Sequence, residues 1–240
     1  MKKRAKLLMY LLAPLMFASV TACRPQQTKQ QSKSQEYIER GNLFFDRRDY
    51  ALAADCYTDA IKLDPDDAAV YVLRGDAYLA DAAVKIFGDN EDYNERDFSR
   101  AAADYTQAIK LDPKHAIAYR NRGFARNFHL MIGSESSEDG DVSDFSQAIL
   151  LDPDGARAYI MRAYVYFISE DYKRALADCN QAIKNDPNNA IAYVLRSVVT
   201  DDWQKSEDDL AMAEKLGFDL EIEDEAGNIA YMIADNLRSK

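Results

Sequence analysis

The chain has 240 residues, 48% hydrophobic and 30% charged, which suffices for one sizeable core or a repeat array and argues against a disordered chain. Its formal net charge of −11 repels phosphate backbones, so nucleic-acid binding is not expected. Nine glycines and six prolines are too few for a loop-rich β protein, and the alanine-rich stretches favour helix.

At the start, Lys2, Lys3, Arg4 and Lys6 precede an apolar run of 14 residues from Leu7 to Val20, and Val20-Thr21-Ala22-Cys23 closes it. A basic start, a short apolar run and small residues before a cysteine describe a secretory signal over residues 1–22. The run is short for a membrane-spanning helix. This segment resembles the signal of bacterial lipoproteins, whose lipobox places an aliphatic and two small residues before an invariant cysteine. The resemblance implies cleavage before Cys23, a diacylglyceryl thioether on its sulfur and an acylated amino group. Such an anchor holds far better than one myristoyl chain. Ordinary secretion with a chance cysteine is the alternative. Residue 24 is Arg rather than Asp, which by analogy with enterobacterial sorting implies the outer membrane, facing the periplasm. Losing the four basic residues of the signal takes the net charge from −11 to −15. Residues 23–35 then form the lipidated cysteine and a flexible tether, whose polar stretch Arg24–Ser34 reaches about 35 Å when extended.

The remainder is periodic. A Tyr-x-x-Arg frame returns as YIERGNLF from Tyr37, YVLRGDAY from Tyr71, YRNRGFAR from Tyr119, YIMRAYVY from Tyr159 and YVLRSVVT from Tyr193. A second signature returns as YTDAIKLDP, YTQAIKLDP, FSQAILLDP and CNQAIKNDP, ending at Pro65, Pro113, Pro153 and Pro187. The units are 34–67, 68–115, 116–155 and 156–189, with lengths of 34, 48, 40 and 34, so two of them carry insertions. Each predicts two antiparallel helices. Helix A bears the Tyr-x-x-Arg frame; a turn such as Arg48-Asp49-Tyr50 or Glu170-Asp171-Tyr172 follows, and helix B stops at Asp-Pro. Small residues at Gly41, Gly75, Gly123 and Ala163, and at Ala60, Ala108, Ala148 and Ala182, allow close approach.

This pattern resembles the tetratricopeptide repeat. The resemblance implies an all-α, right-handed α-solenoid of helix hairpins over residues 36–220, with four clear repeats. A degenerate fifth (190–220) has Trp203 and Leu210 in the aromatic places and Gly217-Phe218 instead of Asp-Pro. Asp141 replaces the usual alanine of the third. Residues 221–240, with Ile229, Tyr231, Met232, Ile233 and Leu237 at helical spacing, suit a capping helix.

Five recurrent arginines suggest either a binding array or a fastener. Nine residues before the proline that closes each unit stand Asp104, Asp144 and Asp178, and Asp209 holds that place before Phe218. A partly buried guanidinium needs an anionic or carbonyl partner. The predicted structural pairs are therefore Arg74–Asp104, Arg122–Asp144, Arg162–Asp178 and Arg196–Asp209. Cys56 fills the aspartate's place in the first unit, leaving Arg40 to Asp55 or a carbonyl. Cys56 and Cys179 read as small buried residues without metal spacing.

In tetratricopeptide proteins helix A lines a concave groove that takes peptides or helices. Carried onto matching places, the groove comprises Val72, Asp76, Leu79, Arg120, Asn121, Phe124, Arg157, Ile160, Met161, Tyr164 and Val194; packing against neighbouring helices is the competing use of that face. The inserted lobes Asp81–Asn94 and His129–Val142, with Phe87, Leu130, Met131 and Ile132, are further specificity candidates. Two histidines, no phosphate loop and no calcium-loop spacing leave no catalytic, metal or cofactor expectation. The function expected is a membrane-anchored, non-catalytic scaffold binding a protein partner or peptide. A lipid-like or other hydrophobic ligand of a transport system is the alternative.

Overall fold

In a computed structural model that describes residues 30–87, 96–131 and 141–218, alanine-rich runs broken by Asp-Pro fold into ten helices, with no strand among those residues. They pair as A and B helices: α1 (30–46) with α2 (Tyr50–Leu63), α3 (Ala68–Phe87) with α4 (Arg96–Leu111), and α5 (Ala116–Met131) with α6 (Ser143–Leu151). α7 (Ala156–Ile168) then pairs with α8 (Tyr172–Asn185), and α9 (Ala190–Val199) with α10 (Trp203–Lys215). Each B helix packs on the next A helix, while α3, α5, α7 and α9 also touch in series. This is the expected α-solenoid. The signal, Cys23 and residues 221–240 lie outside the described residues, as do residues 88–94 and 132–140 of the inserted lobes.

Local chemistry sets most of the helix ends. Asp64, Asp152 and Asp186 end their helices with backbone N–H groups bonded to the carbonyls of Ala60, Ala148 and Ala182, and the proline behind each forbids another turn. In the first and fourth units the A-to-B turn is a Schellman closure. Asp49 N–H reaches the Phe44 carbonyl at 2.9 Å and Asp171 N–H that of Tyr166 at 2.8 Å. Arg48 and Glu170 sit between, at φ of 66° and 58°. Asp171 then caps α8 by accepting from the Arg174 N–H. The degenerate fifth unit ends the same way. Gly217 takes φ of 87°, and Phe218 N–H bonds the Ala213 carbonyl at 3.0 Å.

The insertions lengthen helix A to 20 residues in α3 and 16 in α5, against 13 in α7. Lys85 fastens the base of the first by pairing with Asp81 at 2.7 Å and Asp97 at 3.1 Å. Asn127 fastens the second. Its amide nitrogen donates to the carbonyls of Gly123 and Asp141 at 2.8 and 2.9 Å, and its oxygen accepts from the Asp141 N–H at 2.8 Å. Asp141 therefore precedes α6 instead of lying inside it, and α6 has only 9 residues. The packing expected of Phe87, Leu130, Met131 and Ile132 lies outside the described side chains.

Two apolar clusters form the core and meet on α3. Ala53, Tyr57, Ala60, Val70 and Ala77 belong to one; Val72, Leu79, Tyr105, Phe124, Ile160 and Met161 belong to the larger one, which continues to Phe218. Two expectations change. The stretch 30–35 is not tether, because α1 begins at residue 30 and buried Ser34 donates its hydroxyl to the Ala60 carbonyl at 3.2 Å. Trp203 does not take an aromatic core place: at the start of α10 it is 70% exposed.

Candidate functional site

The helix A arginines lie where three helices meet. Arg74 Nε and Nη2 donate to Asp104 at 2.8 and 2.7 Å, and Arg122 does so to Asp144 at 2.8 and 2.6 Å. Arg162 grips Asp178 at 2.8 Å through both nitrogens, and Arg196 grips Asp209 at 2.7 and 2.6 Å. The remaining nitrogen, Nη1, donates backwards to helix B of the preceding unit. It reaches Thr58 at 3.1 Å, Thr106 at 3.4 Å, Ser146 at 3.0 Å and Asn180 at 2.9 Å. The planes also lie over Tyr71, Tyr119, Tyr159 and Tyr193, with centroids 5.5–5.8 Å away. A guanidinium whose fork, outer nitrogen and face are engaged is a fastener, and it ties successive units as well as the two helices of its own. The backward contact was missed from the sequence, although Thr58, Thr106, Ser146 and Asn180 each stand 16 residues before their arginine.

Arg40 differs. With Cys56 in the aspartate's place it is exposed and lies over the Phe44 ring at 5.6 Å, rather than on Asp55. Both described cysteines are free and buried, and burial pushes the Cys179 thiol up to about 12, leaving it protonated and unreactive.

Most expected groove residues are not open wall. Val72, Leu79, Phe124, Ile160 and Met161 are all buried in the larger core cluster. Asn121 and Arg120 are buried polar groups. The reason is geometric: the A helices touch one another in series, so large side chains on that face meet a neighbouring helix. Asp76, Arg157, Tyr164 and Val194 keep partial exposure.

The buried polar residues form a connected group. Tyr105 Oη and Asn121 Nδ2 each donate to Asp76 Oδ1 at 2.8 Å, and Arg120 Nε donates to Asn121 Oδ1 at 3.0 Å. Although Asp76 keeps some exposure, its carboxyl sits among dense neighbours, and burial pushes its pKa up to about 6 against the opposing pull of Tyr105, Arg120 and Asn121. In the first unit the equivalent bond runs from Tyr57 Oη to Asn42 Oδ1 at 2.9 Å, with a neutral acceptor. These contacts join residues 29 and 45 apart, beyond the reach of spacing arguments.

An apolar cleft lies between α7 and α9. Tyr164 and Phe167 of α7, Ile191, Val194, Leu195 and Val198 of α9, and Phe218 line a cleft of about 210 Å³. Val198 is 57% exposed at its edge. Of these, Tyr164 and Val194 were among the expected groove residues, whereas Phe167, Ile191 and Phe218 were not. Among the described residues no group of three or more His, Cys, Asp or Glu is placed to hold a metal.

Comparisons with known proteins agree with this architecture. Residues 41–81 match a model described as TPR repeat, and residues 90–125 and 156–189 match models described as tetratricopeptide repeat. None of the curated proteins compared with the chain matches it. Among solved structures, the crystal structure of MamA protein shares 20% identity over 77% of this chain and 90% of its own, at a TM-score of 0.54. MamA from Desulfovibrio magneticus RS-1 shares 15% over 77% and 93%, also at 0.54. YrrB, described as a TPR protein with an unusual peptide-binding site, shares 15% over 85% and 97%, at 0.52. At these identities the likeness concerns the fold. Three stretches of this chain thus match tetratricopeptide-repeat models, and its stacked hairpins form an α-solenoid.

Proposed function

We propose that the chain is a non-catalytic scaffold, held to the outer membrane by lipid on Cys23 and facing the periplasm, that docks a peptide or helix of a partner protein on its inner face. The observation that carries the docking is the cleft between α7 and α9. Tyr164, Phe167, Val194 and Val198 line it with apolar surface, of which Val198 is 57% exposed, and apolar clefts of this kind are sites of interaction. Its volume suits one or two peptide side chains better than a lipid-like molecule, since small-molecule pockets run from about 300 Å³ upward. YrrB, as a repeat protein with a peptide-binding site, makes a peptide partner a natural reading. The anchor rests on the lipobox-like Val20-Thr21-Ala22-Cys23. No described helix is long and apolar enough to cross a membrane.

The test pairs two variants. Cys23→Ser is expected to move the protein from the membrane to the soluble fraction; a variant still fully membrane-bound refutes the anchor. Val194→Asp is expected to lose a stoichiometric partner that the wild type retains after cross-linking in detergent-solubilised envelope. Identical partner sets for the two would refute docking in the cleft.

A further inference from the structure

We propose that the N-terminal face of the solenoid is a self-association surface, on which a second copy of this chain docks its own α1 antiparallel about a two-fold axis between Gly41 and Asn42.

One stripe of α1 carries Glu36, Arg40 and Leu43, and Arg47 continues it one turn further. In the four later units the same stripe lies against helix B of the preceding unit. Val70, Ala118, Ala158 and Ala192 hold the place of Glu36, and Ala77, Ala125, Val165 and Val199 hold that of Leu43; all eight are buried. The arginine between them reaches the same preceding helix, as Arg74 reaches Thr58. No unit precedes α1 among the described residues, so its stripe stays open. Glu36, Arg40 and Arg47 are exposed, and Leu43 is 59% exposed. With Cys56 in the aspartate's place, Arg40 forms no ion pair among the described residues.

The neighbouring places have also lost their polar groups. Arg100 and Arg174 lie over Tyr78 and Tyr166 at 5.6 and 4.6 Å. The first unit has Leu52, 49% exposed, in the place of those arginines and Phe44 in that of the tyrosines. An apolar centre of Leu43, Phe44 and Leu52 within a charged rim has the anatomy of an interface.

Charge selects a second copy as the occupant. A two-fold interface requires one patch to complement itself. At 1.5 Å per residue, Glu36 and Arg47 lie about 8 Å to either side of the point between Gly41 and Asn42. Antiparallel pairing about that point sets Glu36 of each copy opposite Arg47 of the other, with the two Leu43 side by side at the centre. Unlike charges therefore meet at both ends of the contact. An anionic lipid surface would instead meet the exposed carboxylates Glu36 and Glu39. Helices of about 25 Å form an interface at the small end of specific ones, which sets the association in the micromolar range.

The experiment is sedimentation equilibrium on the full chain carrying Cys23→Ser, from about 1 to 100 μM, where a monomer–dimer equilibrium is expected. Glu36→Arg and Arg47→Glu, both at exposed positions, are each expected to weaken the dimer about tenfold. The two together in one chain are expected to restore it, because the pair is then reversed rather than broken. A short bismaleimide is expected to join Leu43→Cys copies but not Leu150→Cys copies, whose residue is 73% exposed on α6; Cys56 and Cys179 are buried and do not contribute. A monomer at every concentration overturns the proposal, as do assemblies larger than a dimer. So does a dimer that survives the single reversals, that the double reversal fails to restore, or that cross-links equally at both positions. A dimer lost in Val194→Asp instead makes the α7–α9 cleft the interface and overturns it. A monomer that sediments with phosphatidylglycerol vesicles, and ceases to in Leu43→Asp, assigns the face to lipid and overturns it as well.

Discussion

A Cβ built on Gly75 would lie 2.7 Å from Tyr105 Cε1, and one on Gly123 would lie 2.9 Å from Phe145 Cε1. In the fourth unit both members of this pair have changed: Ala163 stands in the glycine's place and Cys179 in the aromatic's, both fully buried. A larger residue on helix A thus accompanies a smaller one on helix B. Gly75→Ala is expected to cost about 1–3 kcal/mol by overpacking. The cost should shrink in a Tyr105→Cys background, with a coupling of about 1–2 kcal/mol in a urea double-mutant cycle. The arginine pairs give a second expectation. Asp178→Ala strands the Arg162 guanidinium and should cost about 3 kcal/mol. Arg162→Lys should also destabilise, because an ammonium cannot grip Asp178 and Ser146 together. Asp76 has the opposite sign. Its folded pKa of about 6 exceeds the ordinary carboxylate value, so its stabilising contribution is complete below pH 4 and is lost as pH rises through 6. Asp76→Asn keeps an acceptor for Tyr105 and Asn121, as Asn42 does for Tyr57. It should therefore raise stability at pH 7.5 by roughly 1–2 kcal/mol and flatten the pH dependence between 4 and 6, read from thermal melts.

At the scale of elements, three helix ends share one geometry and differ in residue. Arg48 and Glu170 hold left-handed backbone that an L side chain adopts at a cost, whereas Gly217 holds it freely. Arg48→Gly and Glu170→Gly are each expected to stabilise by about 0.5–1 kcal/mol, and Gly217→Ala to destabilise by about 1 kcal/mol. No atom lies within 4 Å of a Cβ at Gly217, so the cost there is conformational rather than steric. The boundaries of the uninserted units were legible because Asp-Pro stops a helix by itself. The start of α6 was not. It depends on Asn127 holding the Asp141 backbone across the inserted loop, a contact 14 residues long that no local propensity encodes.

Across the whole molecule, stability is expected to divide at α3, where one face joins the N-terminal cluster and the other joins the cluster running to Phe218. Solenoid units hold only their neighbours, so local unfolding follows the cluster boundary. Tyr57→Ala should cost about 3–5 kcal/mol, and the loss should fall on α1 and α2. Amide exchange in those helices should accelerate while that of α7 to α10 stays near its original rate. Uniform acceleration throughout would show a single cooperative unit instead.

The sequence by itself determined the repeat and its fasteners. Tyr-x-x-Arg and Asp-Pro recur at fixed places, and a carboxylate that keeps its place before the proline while its distance from the arginine varies from 30 to 13 residues reveals two facing helices whatever lies between. Tertiary structure alone decided which inner-face residues stay open. Val72, Phe124, Ile160 and Met161 read as groove wall because helix A faces inward, but contact between successive A helices buries them. That contact depends on how the units stack, a quantity with no period in the sequence. The same stacking brings Asp76, Tyr105 and Asn121 together, and leaves an apolar cleft between α7, α9 and Phe218.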